Sequence, residues 1–321
     1  MLPKSRVLST LLLGLGVALA VAGILAPRML PTAATLPLDT TGLTWTIHAK
    51  DAKVGEETTD LTRQWHVTLE EPSSEENVMV RLGETINRAD RPEPENLITA
   101  TVWNYPMDRE TGEAVHHAEV SEVLATPTRT VPIDGPWWMT PAGAADNLTQ
   151  LFDPYLRSAE PVTFAGVAEV AGRETYRYTQ NIAPTNVATK YAGLGNTTML
   201  TQDDGSTQQG YLFYSAEREI FIDKDSGLVL HINEDVEQYY GERDGTFREP
   251  VLAYAGSTTE DSQQRLTEVA ENMSHGGAVT VISWILLGLG ALIAVVGAVG
   301  VFSGFGRDRK SGMEPLREDE K

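Results

Sequence analysis

Val167-Ala168-Glu169-Val170-Ala171-Gly172-Arg173-Glu174-Thr175-Tyr176-Arg177-Tyr178 is the stretch on which the reading of the fold turns. Val167–Val170 and Glu174–Tyr178 alternate in character, and the short link Ala171-Gly172-Arg173 joins them as a tight antiparallel pair. The same grammar recurs outward in both directions. Toward the C-terminus, Glu219-Ile220-Phe221-Ile222 and Leu228-Val229-Leu230-His231-Ile232 flank Asp223-Lys224-Asp225-Ser226-Gly227. Toward the N-terminus, Val102-Trp103-Asn104-Tyr105 runs into Asp108-Arg109-Glu110-Thr111-Gly112-Glu113-Ala114-Val115, a turn whose glycine can take positive φ. Extended runs also cover 44–49, 64–69, 77–82 and 97–105, with proline and glycine between them. Repetition of such units predicts a mainly β domain, one long antiparallel sheet curved into a barrel or half-barrel.

Two helical stretches interrupt this pattern. Between Ala144 and Ser158, Leu148, Leu151, Phe152 and Tyr155 recur at three- and four-residue steps, with Pro154 bending or ending a turn. Ser257-Thr258-Thr259-Glu260 is a capping-box pattern; the helix it opens is expected to carry Leu266 and Val269 toward a membrane and to lead into the last apolar segment.

Apolar segments lie at both ends of the chain. Val7 to Pro27 is free of charge and long enough to cross a bilayer, which takes about 20 residues. Lys4 and Arg6 before it also suit a secretory signal, but the apolar run exceeds the usual length and lacks a clear cleavage site before Pro27-Arg28, so an uncleaved signal anchor is expected. Gly276 to Gly306 is likewise uncharged and is followed by Arg307-Asp308-Arg309-Lys310, a stop-transfer flank, with Trp284 as an interfacial anchor. The basic residues next to the two spans put both termini in the cytoplasm. The expected division is a cytoplasmic N-terminus (1–6), a first transmembrane helix (7–27), an extracytoplasmic mainly β domain (28–275), a second transmembrane helix with its flanks (276–306) and a cytoplasmic tail (307–321), all at the plasma membrane. Small residues abound in both spans, and the spacing of Gly300 and Gly304 suits helix-helix association.

Charge and composition exclude several classes. The chain carries a net charge of -20. Residues 30–276 hold 17 basic and 40 acidic residues, a net of -23, which repels nucleic acid and anionic lipid headgroups. Cysteine is absent, so thiolate, zinc-thiolate and iron-sulfur chemistry are excluded. There is no G-x-S-x-G elbow, phosphate loop, G-x-G-x-x-G or H-E-x-x-H, and neither an enzyme nor a cofactor is expected. Asp223, Asp225 and Glu234 imitate part of a calcium loop, but Leu228 stands where glycine is required and the flanks read as strands, so a hairpin turn is expected. His116 and His117, adjacent on an extended segment, point to opposite faces and do not assemble a metal site.

The candidate ligand-binding residues are aromatic. Trp137 and Trp138 follow Gly135-Pro136 and, with Phe152, Tyr155 and Phe164, are either ordinary core or the border of an apolar groove for an acyl chain or a sugar face.

Asp108-Arg109-x-Thr111-Gly112-x-Ala114-Val115, Phe152-Asp153-Pro154 and Gly172-x-x-Thr175-Tyr176-Arg177-Tyr178, within this architecture, resemble the actinobacterial envelope family labelled porin PorA-like, formerly a domain of unknown function. The resemblance implies two spans around an extracytoplasmic domain. It also implies two different functions: a pore, from the family label, or accessory work in lipomannan and lipoarabinomannan maturation. Helical spans fit poorly with a β-barrel pore, whose strands cross the membrane. The expectation is therefore a non-enzymatic envelope protein that binds a lipid, a lipoglycan or a partner protein and supports lipoglycan assembly, with a porin component and a scaffold for envelope enzymes as alternatives.

Overall fold

The computed structural model describes residues 4–29, 34–122, 127–143, 148–202, 204–273 and 276–303. They form two compact units, one from the two end segments of the chain and one spanning Ala33–Ser274.

The end-segment unit is a pair of helices, α1 (Lys4–Met29) and α3 (Gly276–Ser303). Val7–Ala26 and Val281–Val301, 20 and 21 residues, are long and apolar enough to cross a bilayer. They pack by what their glycines lack. A Cβ at Gly16 would lie 2.3 Å from the Ala294 backbone nitrogen, and one at Gly290 would lie 2.4 Å from that of Ala20. Gly23 meets Leu287, and Gly297 meets Leu13, so the helices run antiparallel. In each helix the two glycines are seven residues apart, which puts both on one face and lets the backbones touch. Close approach thus runs through Gly16, Gly23, Gly290 and Gly297, whereas Gly304, half of the pair expected from spacing, lies outside the described residues.

The second unit is one antiparallel sheet of thirteen strands. They are β1 (Thr44–Val54), β2 (Glu57–Ser73), β3 (Asn77–Arg88), β4 (Leu97–Asp108), β5 (Ala118–Ser121), β6 (Arg129–Val131), β7 (Gln150–Asp153), β8 (Ser158–Val170), β9 (Arg173–Asn186), β10 (Thr197–Thr201), β11 (Thr207–Asp223), β12 (Val229–Gly241) and β13 (Phe247–Thr258). Their spatial order is β6-β5-β4-β3-β2-β1-β13-β12-β11-β9-β8-β7, with β10 beside β11. The long meander is as expected, and of the barrel or half-barrel expected the closed form is not found: among the described residues the terminal strands β6 and β7 do not pair, and the sheet stays open. Both end strands are three or four residues long, too short to complete a ring of ladder bonds.

Local chemistry explains the hairpins. Ala171 (φ 47°) and Gly172 (φ 83°) both take left-handed backbone, the twist that a two-residue hairpin needs. In the β11–β12 turn, Asp223 accepts from Ser226 N (2.9 Å) and Oγ (2.7 Å), and Arg173 Nε donates to it at 2.6 Å. Gly227 (φ 76°) admits no side chain there, because a Cβ would sit 1.9 Å from the Thr140 oxygen.

One helical expectation fails and one holds in altered form. The stretch 148–158 is strand, turn and strand, with 144–147 outside the described residues. Leu151 and Phe152 are buried neighbours on β7, and Asp153 Oδ1 accepts from Leu156 N at 2.7 Å to close the turn. A three-to-four spacing over so few residues does not distinguish helix from strand plus turn. Helix α2 (Glu260–Met273) follows the expected box, but Ser257 and Thr258 are the last residues of β13, and Thr259 is the cap, its Oγ1 accepting from Ser262 N at 3.4 Å. Leu266 and Val269 do not reach for a membrane: they lie in the core of the sheet unit beside Ala270 and Met273.

Candidate functional site

Inward-facing residues of the sheet build three levels. The first is aromatic. Trp45, Trp65, Trp103, Trp137, Trp138 and Phe152 form one chain of edge-to-face and tilted contacts with centroids 5.3 to 6.3 Å apart. Trp138 Nε1 donates to Tyr105 Oη (2.8 Å) and Trp45 Nε1 to the Val229 carbonyl (2.7 Å). The third level is a separate apolar cluster that includes Leu61, Ile86, Leu156, Ile182, Tyr214, Val236 and Tyr254.

Between them lies a charged layer. Arg63 Nη1 donates to both oxygens of Glu234, at 2.8 and 2.6 Å, while its Nε and Nη2 reach Glu84 Oε1 at 2.9 and 2.6 Å. Arg218 Nε donates to Glu234 (3.2 Å), and its Nη1 donates to Asp153 Oδ2 and Gln180 Oε1, both at 2.8 Å. Tyr254 Oη donates to Glu234 (2.8 Å), Tyr214 Oη to Asp153 (2.9 Å), and Trp65 Nε1 to Glu84 (3.1 Å). Two guanidinium groups thus face three carboxylates in a water-poor interior. Burial by itself raises the Glu234 carboxyl, but the Arg63 and Arg218 charges and the bonds from Arg63 and Tyr254 outweigh it and hold the group at about 2. Burial pushes the Tyr214 and Tyr254 phenols well up, so they serve as donors. A carboxylate locked as an anion by two arginines is a poor proton carrier near neutrality. The arrangement fixes the strands in register.

The five aromatic candidates do not share a groove. Trp137, Trp138 and Phe152 are interior, at 5, 0 and 3% exposure. Tyr155 packs against the third-level cluster, stacked on Tyr214 at 4.4 Å. Phe164 is 43% exposed and packs edge-on against Tyr176 and Tyr178. Trp137, Trp138 and Phe152 bury against Trp45, Trp65 and Trp103, and the adjacent tryptophans manage it together because their segment lies outside any strand, where neighbouring side chains need not alternate. His116 and His117 are exposed, and no group able to hold a metal occurs among the described residues.

The charged layer forms no recognised motif, although the sequence carries a signal of it. On five strands an inward polar residue is flanked two positions away by apolar ones: Leu61-x-Arg63-x-Trp65, Leu82-x-Glu84-x-Ile86, Tyr178-x-Gln180-x-Ile182, Ala216-x-Arg218-x-Ile220 and Ile232-x-Glu234-x-Val236. Period two makes each a polar group inside a buried row.

The outer face offers an open site. A trough of about 810 Å³ crosses β9, β11, β12, β13 and β1 at one level. Glu217 faces Asn181 on one side and Asp235 on the other, Asn233 faces Glu219 and Ser257, and Ser257 faces His48. Asn233 bonds Glu219 (3.2 Å) and Ser257 (2.8 Å).

A family model described as Porin PorA matches residues 8–299. The chain belongs to the Porin PorA family. Two proteins named Porin PorA are similar to it: one from Corynebacterium resistens, 21% identical with 75% of each chain covered, and one from Corynebacterium amycolatum, 24% identical with 74% of each covered. A solved structure of a DUF1329 family protein from Desulfovibrio piger aligns over 76% of this chain and 89% of its own, at 12% identity and a TM-score of 0.23, a likeness too slight to carry an argument. PorA membership and the two apolar end helices point to a membrane or envelope protein.

Proposed function

We propose that this PorA-family chain crosses the plasma membrane twice with both termini in the cytoplasm, and that its sheet unit works outside as a non-enzymatic binding module. In this reading the module holds a lipid or lipoglycan and supports lipoglycan assembly. The observation that carries it is the contrast between a filled interior and an open outer face. Tryptophan, salt-bridge and aliphatic levels occupy the space inside the sheet, so the described sheet has no lumen for solute, whereas the trough presents polar groups across five strands. Full-length protein extracted from its own envelope in an uncharged detergent is expected to carry an envelope lipid or lipoglycan detectable by mass spectrometry. An Asn181→Ala, Glu217→Gln variant is expected to carry less. Absence of any such molecule, together with normal lipoglycans in a deletion strain, overturns the proposal.

The printed name of the relatives favours a second reading, a pore assembled from several chains. The glycine-tight contact of α1 with α3 leaves no aqueous passage between those two helices, so a pore needs more than one copy. Planar-bilayer conductance that disappears when Gly290 is replaced by Leu would support it.

A further inference from the structure

A cationic seat separate from the trough lies in the turn joining β7 to β8, the turn that Asp153 of the charged layer closes. Arg157 there holds φ at 54°, a left-handed backbone that arginine rarely adopts. Its side chain is 8% exposed, and its guanidinium carbon sits 3.7 Å from the centroid of the Tyr191 ring. Arg157 Nη2 donates to Glu122 Oε1, yet Nε, buried beside it, has no hydrogen-bond partner among the described residues. Arg129 converges on the same carboxylate, its Nε 4.0 Å from Glu122 Oε2, and its Nη1 donates to the Ala192 carbonyl. Lys190, next to Tyr191, lies at the rim and pairs with Glu160 at 3.1 Å.

Two guanidinium groups therefore share one carboxylate, and that carboxylate serves only one edge nitrogen of Arg157. A buried N–H left unmet costs free energy, so the seat is under-filled by its internal occupant. An oxyanion with three available oxygens meets the fork of Nε and Nη2 together and still has an oxygen for Arg129, which a single carboxylate does not do in this geometry. Glu122 is 32% exposed and lies just beyond β5, outside the strand ladder, so it can yield its place. The surroundings make the cluster conspicuous, since three cations gather here in a stretch whose net charge is -23.

We propose that Arg157 and Arg129 form a binding site for a phosphate oxyanion, in which the Glu122 carboxylate is the internal stand-in that the incoming phosphate displaces. Tyr191 holds the Arg157 guanidinium flat, and the strained turn fixes its position before the ligand arrives. The site does not rest on the trough or on the reading of function above.

The test uses full-length protein in uncharged detergent and two probes read by phosphorus NMR: inorganic phosphate and short-chain phosphatidylglycerol. Saturable binding of either probe supports the site, and the probe that binds identifies a free phosphate or a lipid headgroup as its source. Arg129→Gln, a change at a half-exposed residue, is expected to weaken binding about tenfold, as the loss of one charge-assisted contact would. Glu122→Gln is expected to strengthen binding, because the competing carboxylate is gone. Glu249→Gln changes the net charge equally elsewhere and is expected to leave binding as it was. The proposal is overturned if neither probe binds at millimolar concentration, if Arg129→Gln binds as tightly as the unaltered protein, or if Glu249→Gln matches the gain from Glu122→Gln.

Discussion

Arg218 and Glu234 point into the sheet, while their chain neighbours Glu217 and Asp235 point out, and the two faces obey different rules. Inside, each charge has partners at hydrogen-bond distance, because an ion in a low dielectric without them would cost several kcal/mol. Outside, Glu217 and Asp235 sit directly opposite each other with no ion pair among the described residues, an arrangement that solvent or a ligand makes tolerable. The lesson is that polar groups on this sheet divide by environment. Satisfied ones hold the structure, and unsatisfied ones remain available for binding.

Breaking the inner face should have the largest effect. Arg218→Met strips Glu234 and Asp153 of a shared counter-charge and is expected to destabilise the sheet unit by about 3–5 kcal/mol, read as a lower urea midpoint. Acid should act on the same layer. The Glu234 carboxyl stands at about 2 when folded, below its ordinary value, so its contribution is complete above pH ~4.5 and is lost as pH falls through about 2. A shift of this size corresponds to roughly 3 kcal/mol, and urea midpoints recorded between pH 6 and pH 2 are expected to hold steady and then fall within that window. Removing one hydrogen bond is gentler: Tyr254→Phe should cost about 1–2 kcal/mol in the same assay. The outer face should barely respond. Asp235→Asn relieves an opposed like-charge pair and is expected to change stability by less than about 1 kcal/mol, toward stabilisation. An outer-face loss as large as that of Arg218→Met would erase the distinction between the faces.

The sequence made the sheet legible where turn chemistry is local, as at Ala171-Gly172 and Gly227, and it placed the start of α2, though the cap is Thr259 and not Ser257, which belongs to β13. It misled at 148–158, where a short run of apolar residues imitates a helix and β7 shows itself only through pairing with β8. For the charged layer it held a periodic trace, apolar residues two positions to either side of Arg63, Glu84, Gln180, Arg218 and Glu234, but no indication of which charges would meet. Those pairs join residues as far apart as 171 positions, and only the sheet order brings β2 near β12. The Arg157 seat left no trace, since its donors come from three separate segments.

What the sequence determined by itself was the class of structure: two apolar helices at the ends and a meandering acidic sheet between, because hydrophobic length and turn-forming residues act over a few neighbours. The tertiary structure decided that the sheet stays open, that its tryptophans pack inward in place of lining a groove, and that four glycines seven apart set the helix contact. Each of these depends on which distant surfaces exclude water from one another, a quantity that no local pattern contains.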